Sequence, residues 1–443
     1  MFLGRRKKPQ FLIQTPRGTK DILPDDQKYW RFFEEKATKQ VEINGYERID
    51  TPIIERASVF TKSLGETSDV VSKEMFFLKR RNSENNEESG PENDLVLRPE
   101  GTAPVVRAYI EHGMQTLPQP IQLYYYGPMF RYERPQKGRL RQHTQFGCES
   151  LGSGDPATDA RLITLGWNIL KDLGLQRLVV KINSLGCAHC RPEIKSLLTN
   201  YFSKRQVLLC KDCLERLKIN PLRILDCKNP ACRDIMVDAP AIVDNLCENC
   251  RDEFKQVLEY LDEASVAYDL DPYLVRGLDY YTKTTYEFYS IDNLFVQSAL
   301  CGGGRYDNLV ELYGGRSTPA CGWSMGVERI ILELKKQKVK IKEEVRARVF
   351  VVQLGEMAKK QALGILGQLQ KSKIPARAAL SKSSIKSQLR MADKLGVDFT
   401  LIIGQKEAMD RTVIIRGMNE GVQEVIGQED LIEKLKEKLA RKK

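Results

Sequence analysis

Residues 130–150 read FRYERPQKGRLRQHTQFGCES. Side chains alternate across a strand with period two. Two antiparallel strands, over 121–134 and 142–150, account for the pattern, joined by the basic loop RPQKGRLR. Arg131 and Glu133 then share one face of the first strand, and Gln145, Gly147 and Glu149 share one face of the second. Upstream, RPEGT spaces Glu100 and Thr102 by two. The expected product is a sheet face carrying carboxylates, an amide and an arginine where a buried face should be apolar. Unpaired buried polar groups cost free energy, so a polar ligand is the simplest account of the set. Any one of these residues taken alone fits a solvent-facing strand.

Outward from this pair, residues 28–44 have helical periodicity, with Tyr29, Phe32, Phe33, Ala37 and Val41 near one face. Strands are expected at Tyr46–Ile49, Met75–Leu78 and Leu95–Leu97. The polar stretch RRNSENNEESGPEND between the last two reads as a mobile hairpin loop. Thr102 is placed to cap a helix with Pro104 in its first turn, running to about His112 and stopping at Gly113. Further on, LVRGLDYYTKTTYEFYSI is strand-like and CGGGRYD reads as a glycine-rich turn before a short helix. GWSMGVERIILELKK opens another helix, with Trp323 and Ser324 at its start. A charged linker, KKQKVKIKEEVRAR, precedes strands and helices in alternation, which indicate a small α/β domain over 347–443.

The 443 residues carry a net charge of +11, which favours a polyanionic partner such as nucleic acid. The basic N-terminal run has no apolar core behind it, so a signal peptide is not expected, and no apolar stretch is long enough to span a membrane. Eleven cysteines then read as reduced thiols or metal ligands in a cytoplasmic protein. His112, His143 and His189 are the only histidines, which argues against a histidine-rich metal site or a Ser-His-Asp hydrolase.

Three arginines stand at distinctive places: Arg131 after Met129-Phe130, Arg276 in VRGLDYY and Arg329 in MGVERI. A guanidinium binds phosphate through a planar fork. Convergence of the three on a triphosphate would suit adenylate formation, in which charge develops at the α-phosphate.

RYERPQKGRLRQHTQFGCES resembles motif 2 of class II aminoacyl-tRNA synthetases, GWSMGVERI their motif 3, and GYERIDTPIIERASVF, with Pro52, their motif 1. RGLDYYTKTTYEF and CGGGRYDNLVELYGG resemble the two histidine-specific motifs of the histidyl-tRNA synthetase family. RGTKDILP and LIIGQKEAMDRTVIIRGM, the latter similar to that family's anticodon-binding domain, extend the resemblance over most of the chain.

The resemblance implies a mixed α/β (α+β) chain. A class II antiparallel sheet flanked by helices would occupy 1–175 and 266–333, with a Cys-rich insertion at 176–265, a linker at 334–346 and an anticodon-binding α/β domain at 347–443. It implies ligation of L-histidine to tRNA(His) through a histidyl-adenylate, with ATP and Mg²⁺, in a homodimer. Carried onto these positions, Arg131 binds the α-phosphate and the amino-acid carboxylate, Arg139 lies near ATP or the acceptor end, and Arg329 meets the γ-phosphate. Arg276 lies beside the α-phosphate. Glu100, Thr102 and Gln145 hold the α-amino group, while Glu149, Tyr281 and Tyr306 recognise the imidazole. Glu133 is a candidate to orient Mg²⁺. Neutral imidazole offers one donor and one acceptor, which a carboxylate and a phenol can match.

Eight cysteines form four short-spaced pairs: Cys187 with Cys190, Cys210 with Cys213, Cys227 with Cys232, and Cys247 with Cys250. Four such pairs can supply two structural zinc sites of four thiolates each, with free thiols as the alternative and the pairing of pairs open. Position in the family places this insert over the tRNA acceptor arm. Two other functions compete. A catalytically silent, synthetase-like regulatory subunit of histidine biosynthesis would lack the last domain and lose the motif arginines. A tRNA-binding sensor would need an additional effector domain.

Overall fold

The computed structural model describes residues 13–64, 70–79, 94–136, 138–291, 299–341, 347–382 and 384–441. The chain divides into two units, 1–341 and 342–443.

In the first unit, helix α1 (Pro24–Ile43) leads to strands β1 (Glu47–Arg48) and β2 (Ile54–Arg56) and helix α2 (Ala57–Leu64). Strands β3 (Phe76–Phe77) and β4 (Leu95–Leu97) pair antiparallel, β2 joins them, and helix α3 (Thr102–Glu111) follows. The long hairpin is β5 (Ile121–Phe130) with β6 (Gln142–Leu151), after which come α4 (Pro156–Asp172) and β7 (Leu178–Ser184). Four helices then succeed one another: α5 (Arg191–Ser203), α6 (Lys211–Ile219), α7 (Pro230–Met236) and α8 (Glu248–Glu263). The unit closes with β8 (Tyr268–Leu270), β9 (Thr282–Ser290), β10 (Cys301–Arg305), α9 (Leu309–Leu312), β11 (Ala320–Gly326) and α10 (Val327–Lys336).

Eight of these strands make one sheet in the order β1-β5-β6-β11-β10-β9-β7-β8. Its six central strands are antiparallel and its two edge pairings are parallel. Strand alternation sorts the residues between two layers. Tyr124, Phe146, Cys148, Trp323 and Met325 join a core with Phe33 and Ala37 of α1, Leu162 and Ile163 of α4, Phe254 and Val257 of α8, and Ile330 of α10. Gln145, Gly147 and Glu149 face the opposite side. Asp155 caps α4 by accepting from the Ala157 N–H at 2.8 Å. Wholly buried Arg305, at the end of β10, pairs with Asp159 of α4 and fixes strand to helix.

Several expectations need correction. CGGGR is a central strand, not a turn: Gly303 lets β11 approach so closely that a Cβ would lie 2.1 Å from the Gly322 carbonyl oxygen. Trp323 and Ser324 belong to β11, and the helix begins only at Val327; the Trp323 indole donates to the Leu162 carbonyl at 2.9 Å. Arg131 and Glu133 lie beyond the end of β5 rather than on its face. Within the stretch 176–265 expected as an insertion, β7 is a strand of the large sheet and α8 packs in its core. The end of α10 enters the stretch expected as linker, and 342–346 lie outside the described residues, as does the expected loop over 80–94 except Asp94.

The second unit has β12 (Val349–Gln353), α11 (Glu356–Lys371), β13 (Ala376–Ala378), α12 (Ile385–Lys394), β14 (Phe399–Ile403), α13 (Gln405–Asp410), β15 (Thr412–Gly417), β16 (Gln423–Gly427) and α14 (Leu431–Ala440). Its sheet runs β13-β12-β14-β15-β16, parallel across the first three strands and antiparallel thereafter. Both faces are apolar, so Val351, Leu401 and Ile415 pack with α11 and α14, while Phe350 and Ile402 pack with Ala392 of α12.

Candidate active site

The polar face of β6 forms the floor of a cleft of about 590 Å³. Glu100 stands just before α3 and caps it: its carboxylate accepts from the N–H groups of Thr102 and Ala103, each at 2.8 Å. The expected capping residue, Thr102, is instead the first helical residue, and its hydroxyl donates to Glu149 at 2.7 Å. The Tyr306 hydroxyl donates to the other Glu149 oxygen at 2.5 Å. Gly322 faces Glu149 across the β6–β11 ladder, where a Cβ would come within 1.7 Å of the carboxylate.

Burial dominates the electrostatics of this floor. It raises the Glu149 carboxyl to about 8, with the charge of Glu100 adding and the Tyr306 and Thr102 donors opposing. Burial also raises Glu100, against two backbone donors and Arg131. His143 is pushed down to about 3 by burial and by Arg131 and Arg329, so it is neutral at ordinary pH. Among the described residues, Gln145 Oε1 and Arg276 Nε are buried without a hydrogen-bond partner, the condition a polar ligand would relieve.

Cations converge above the floor. Arg131 donates to the Pro99 carbonyl at 2.9 Å, and Arg139 reaches Glu133 at 3.3 Å. Arg329, at the start of α10, donates to the Gly138 and Ala299 carbonyls at 3.0 and 2.9 Å. Burial, then the charges of Arg139 and Arg131, lower its pKa. Burial also works against the charge of Arg276, but its ion pair with Glu287 overrides this and keeps it protonated.

Of the residues singled out by sequence, Glu100, Thr102, Arg131, Arg139, Gln145, Arg276, Tyr281 and Arg329 line this one cleft. Glu149 and Tyr306 lie beneath its surface, joined to each other and to Thr102. Sequence reasoning missed Glu287, although the period of TYEFY puts it on the same face of β9 as Tyr289, which donates to it. It also missed Glu328, whose carboxylate accepts from the Thr144 N–H at 2.9 Å. Nor did it place Arg223, Asp226 and Lys228 of the insert in the cleft wall, where they lie. No period-two pattern marks them, because they belong to a short 3-10 segment and its exit.

The eight insert cysteines form two groups, Cys187, Cys190, Cys247 and Cys250, and Cys210, Cys213, Cys227 and Cys232, with the sulfurs of each group within 4.8 Å of one another. The first pair thus joins the fourth and the second joins the third. Sγ–Sγ distances are 3.7 Å for Cys187–Cys190, 4.0 Å for Cys187–Cys247 and 3.8 Å for Cys210–Cys227. A disulfide would need about 2.05 Å. A tetrahedron with Zn–S bonds of about 2.3 Å has sulfur edges of about 3.8 Å. Backbone N–H groups of Cys247, Cys210 and Asn229 donate to Cys190, Cys232 and Cys227 sulfurs at 3.2, 3.2 and 3.4 Å.

Residues 18–330 match the family model described as histidyl-tRNA synthetase, and 348–438 match an anticodon binding domain. A histidine–tRNA ligase of Desulfitobacterium hafniense is 44% identical over 95% of this chain and 97% of its own length. That of Halothermothrix orenii is 44% identical over 96% and 99%. The apo structure of S. aureus histidyl-tRNA synthetase superposes with a TM-score of 0.77 at 36% identity, covering 95% of this chain and 99% of that one. A family model spanning residues 18–330, and relatives matching over 95% or more of the chain, place it in the histidyl-tRNA synthetase family.

Proposed function

We propose that the cleft activates L-histidine with ATP and passes the histidyl group to tRNA(His), releasing pyrophosphate and then AMP. The observation that carries this is the meeting of a carboxylate-and-amide floor with four arginines in one cleft. The histidine carboxylate attacks the α-phosphate, flanked by Arg131 and Arg276, while Arg329 and Arg139 take the outgoing phosphates. Fixed donors of this kind stabilise the developing charge without reorganising. Mg²⁺ would accompany ATP, with Glu133 a candidate to orient it. In the second step a terminal ribose hydroxyl of the tRNA attacks the activated carbonyl and AMP leaves.

Glu100, Thr102 and Gln145 would hold the α-amino group. Glu149 would accept from one imidazole nitrogen, since a carboxylate keeps spare lone pairs after taking the Tyr306 and Thr102 donors. Tyr281 is the candidate partner for the other nitrogen, and Tyr306 would serve the imidazole by holding Glu149. The second unit would read the anticodon, and its presence counts against the regulatory-subunit alternative. Each cysteine group would hold one structural Zn²⁺, folding the insert between β7 and α8. A homodimer and a cytoplasmic setting fit the family, and among the described residues no helix is long and apolar enough to cross a membrane.

The test is aminoacylation of a tRNA(His) transcript by the purified protein with labelled histidine. Charging that depends on ATP and on that tRNA supports the proposal; binding of the tRNA with no ester formed would turn it towards a sensor.

A further inference from the structure

Lys228, an exposed residue of the insert, lines the cleft. It follows Cys227 at the exit of the 3-10 segment Pro221–Asp226, and lines the cleft with Glu133, Arg139 and Arg329. The segment is fixed at both ends. Buried Arg223 donates to Asp279 of the VRGLDYY motif at 2.9 Å, and Asn220 donates to the same oxygen at 3.2 Å. Leu222, Ile224 and Leu225 are buried in the core that also holds Tyr280 and Tyr306. At the other end Cys227 belongs to the second thiol group.

Among the described residues, Lys228 has neither a hydrogen bond nor an ion pair, while Arg139 and Arg329 stand among its charged neighbours with Glu133 and Asp226. Lys228 is exposed, but its anchored segment fixes it at the cleft, where Arg139 and Arg329 repel its charge and Asp226 and Glu133 attract it. A polyanion between them converts that repulsion into binding, and an ammonium is a compact point charge suited to phosphate oxygens. We infer that Lys228 is a further phosphate-binding cation, delivered to ATP by the insert, and that the Cys210–Cys232 thiol group is its anchor. This rests on the cleft being the ATP site. The insert then forms part of the activation site, although every site residue that the family resemblance implies lies outside 176–265.

The test uses the whole protein as purified. Wild-type enzyme is acetylated with an amine-reactive reagent and Lys228 modification is followed by mass spectrometry. Mg·ATP should slow modification at least about fivefold, and histidine alone should not. Lys228→Ala should raise the ATP KM in histidine-dependent pyrophosphate exchange by about tenfold, the scale of one charge-assisted hydrogen bond. The histidine KM should stay within about twofold, and Lys228→Arg should recover most of the loss. Metal content and histidine binding check that the variant is folded, and the wild-type footprint decides if it is not. A purely structural lysine would lower the melting temperature without moving the ATP KM. Equal acetylation with and without ATP, or an unchanged ATP KM in folded Lys228→Ala, overturns the inference. Absence of exchange in the wild type would instead count against the function proposed above.

Discussion

The floor of the cleft and its opposite wall are held by different physics. The floor is a continuous sheet in which buried Glu149 is gripped by Thr102 and Tyr306, and Glu100 by two helix N–H groups. The opposite wall is a run of short helices and 3-10 segments whose sulfurs gather in two groups of four. The floor keeps its shape through strand pairing and the cores packed against the sheet. Among the described residues the wall has no sheet of its own, and its two sulfur groups would be held by the zinc ions proposed above. The floor should therefore fail on loss of a glycine or a charge, and the wall, if zinc holds it, on loss of metal.

The largest effect should come from the floor side. Arg276→Ala removes a preorganised donor and should lower histidine activation by about 10²–10³ in pyrophosphate exchange. A loss below about tenfold would show that Arg276 is not at the reacting phosphate. Next, Gly302→Ala would put a Cβ 2.3 Å from the Arg276 guanidinium. Displacing that group should cost about tenfold or more in exchange, since small misplacements of catalytic groups are expensive. Full activity with an intact fold would mean that Arg276 has room to move.

The wall should respond to metal removal. Acid or a strong chelator should release about two zinc ions and open 185–247 to protease, while the sheet retains its circular dichroism. Metal far below one per chain, with all eight thiols freely alkylated in the native protein, would refute the zinc sites.

A smaller effect concerns pH. Burial keeps Glu149 protonated up to about 8 in the free protein. An imidazole N–H favours the ionised carboxylate, so histidine binding should release a proton. Affinity should therefore rise as pH increases from 7 towards 8 and level off above it. In Glu149→Gln calorimetry should find weaker binding and no such slope; a slope that persists would assign the proton elsewhere. The smallest effect on activation should follow truncation at residue 341, the end of the first unit. Exchange should stay within about twofold while charging of full-length tRNA falls. Charging at the intact rate would give the second unit another role.

How much of this was legible in the sequence follows from periodicity. Alternation around Arg131–Glu149 disclosed the hairpin and its polar face, and the 3.6-residue pattern of α1 placed Phe33, Ala37 and Val41 in the core. The strand over Cys301–Arg305 was illegible because glycine has no side chain to alternate, and its use here is close approach rather than a turn. Trp323 was assigned to a helix because an apolar run gives no sign of where a buried strand yields to one. Cysteine spacing disclosed four pairs but not their partners, which are set by how β7 and α8 bring Cys187 and Cys247 together. Lys228 was hidden for the same reason: its position is a product of tertiary anchoring through Asp279 and Cys227.

The floor is proposed to accept histidine and activate it. Pyrophosphate exchange with each of the common amino acids in turn, on the full-length protein, tests it most directly. A site built around buried polar groups rejects analogues that cannot pair with them by about 10⁴–10⁵. Exchange is expected with histidine, and none above background with any other amino acid. Comparable exchange with a second amino acid, or none with histidine, would contradict it.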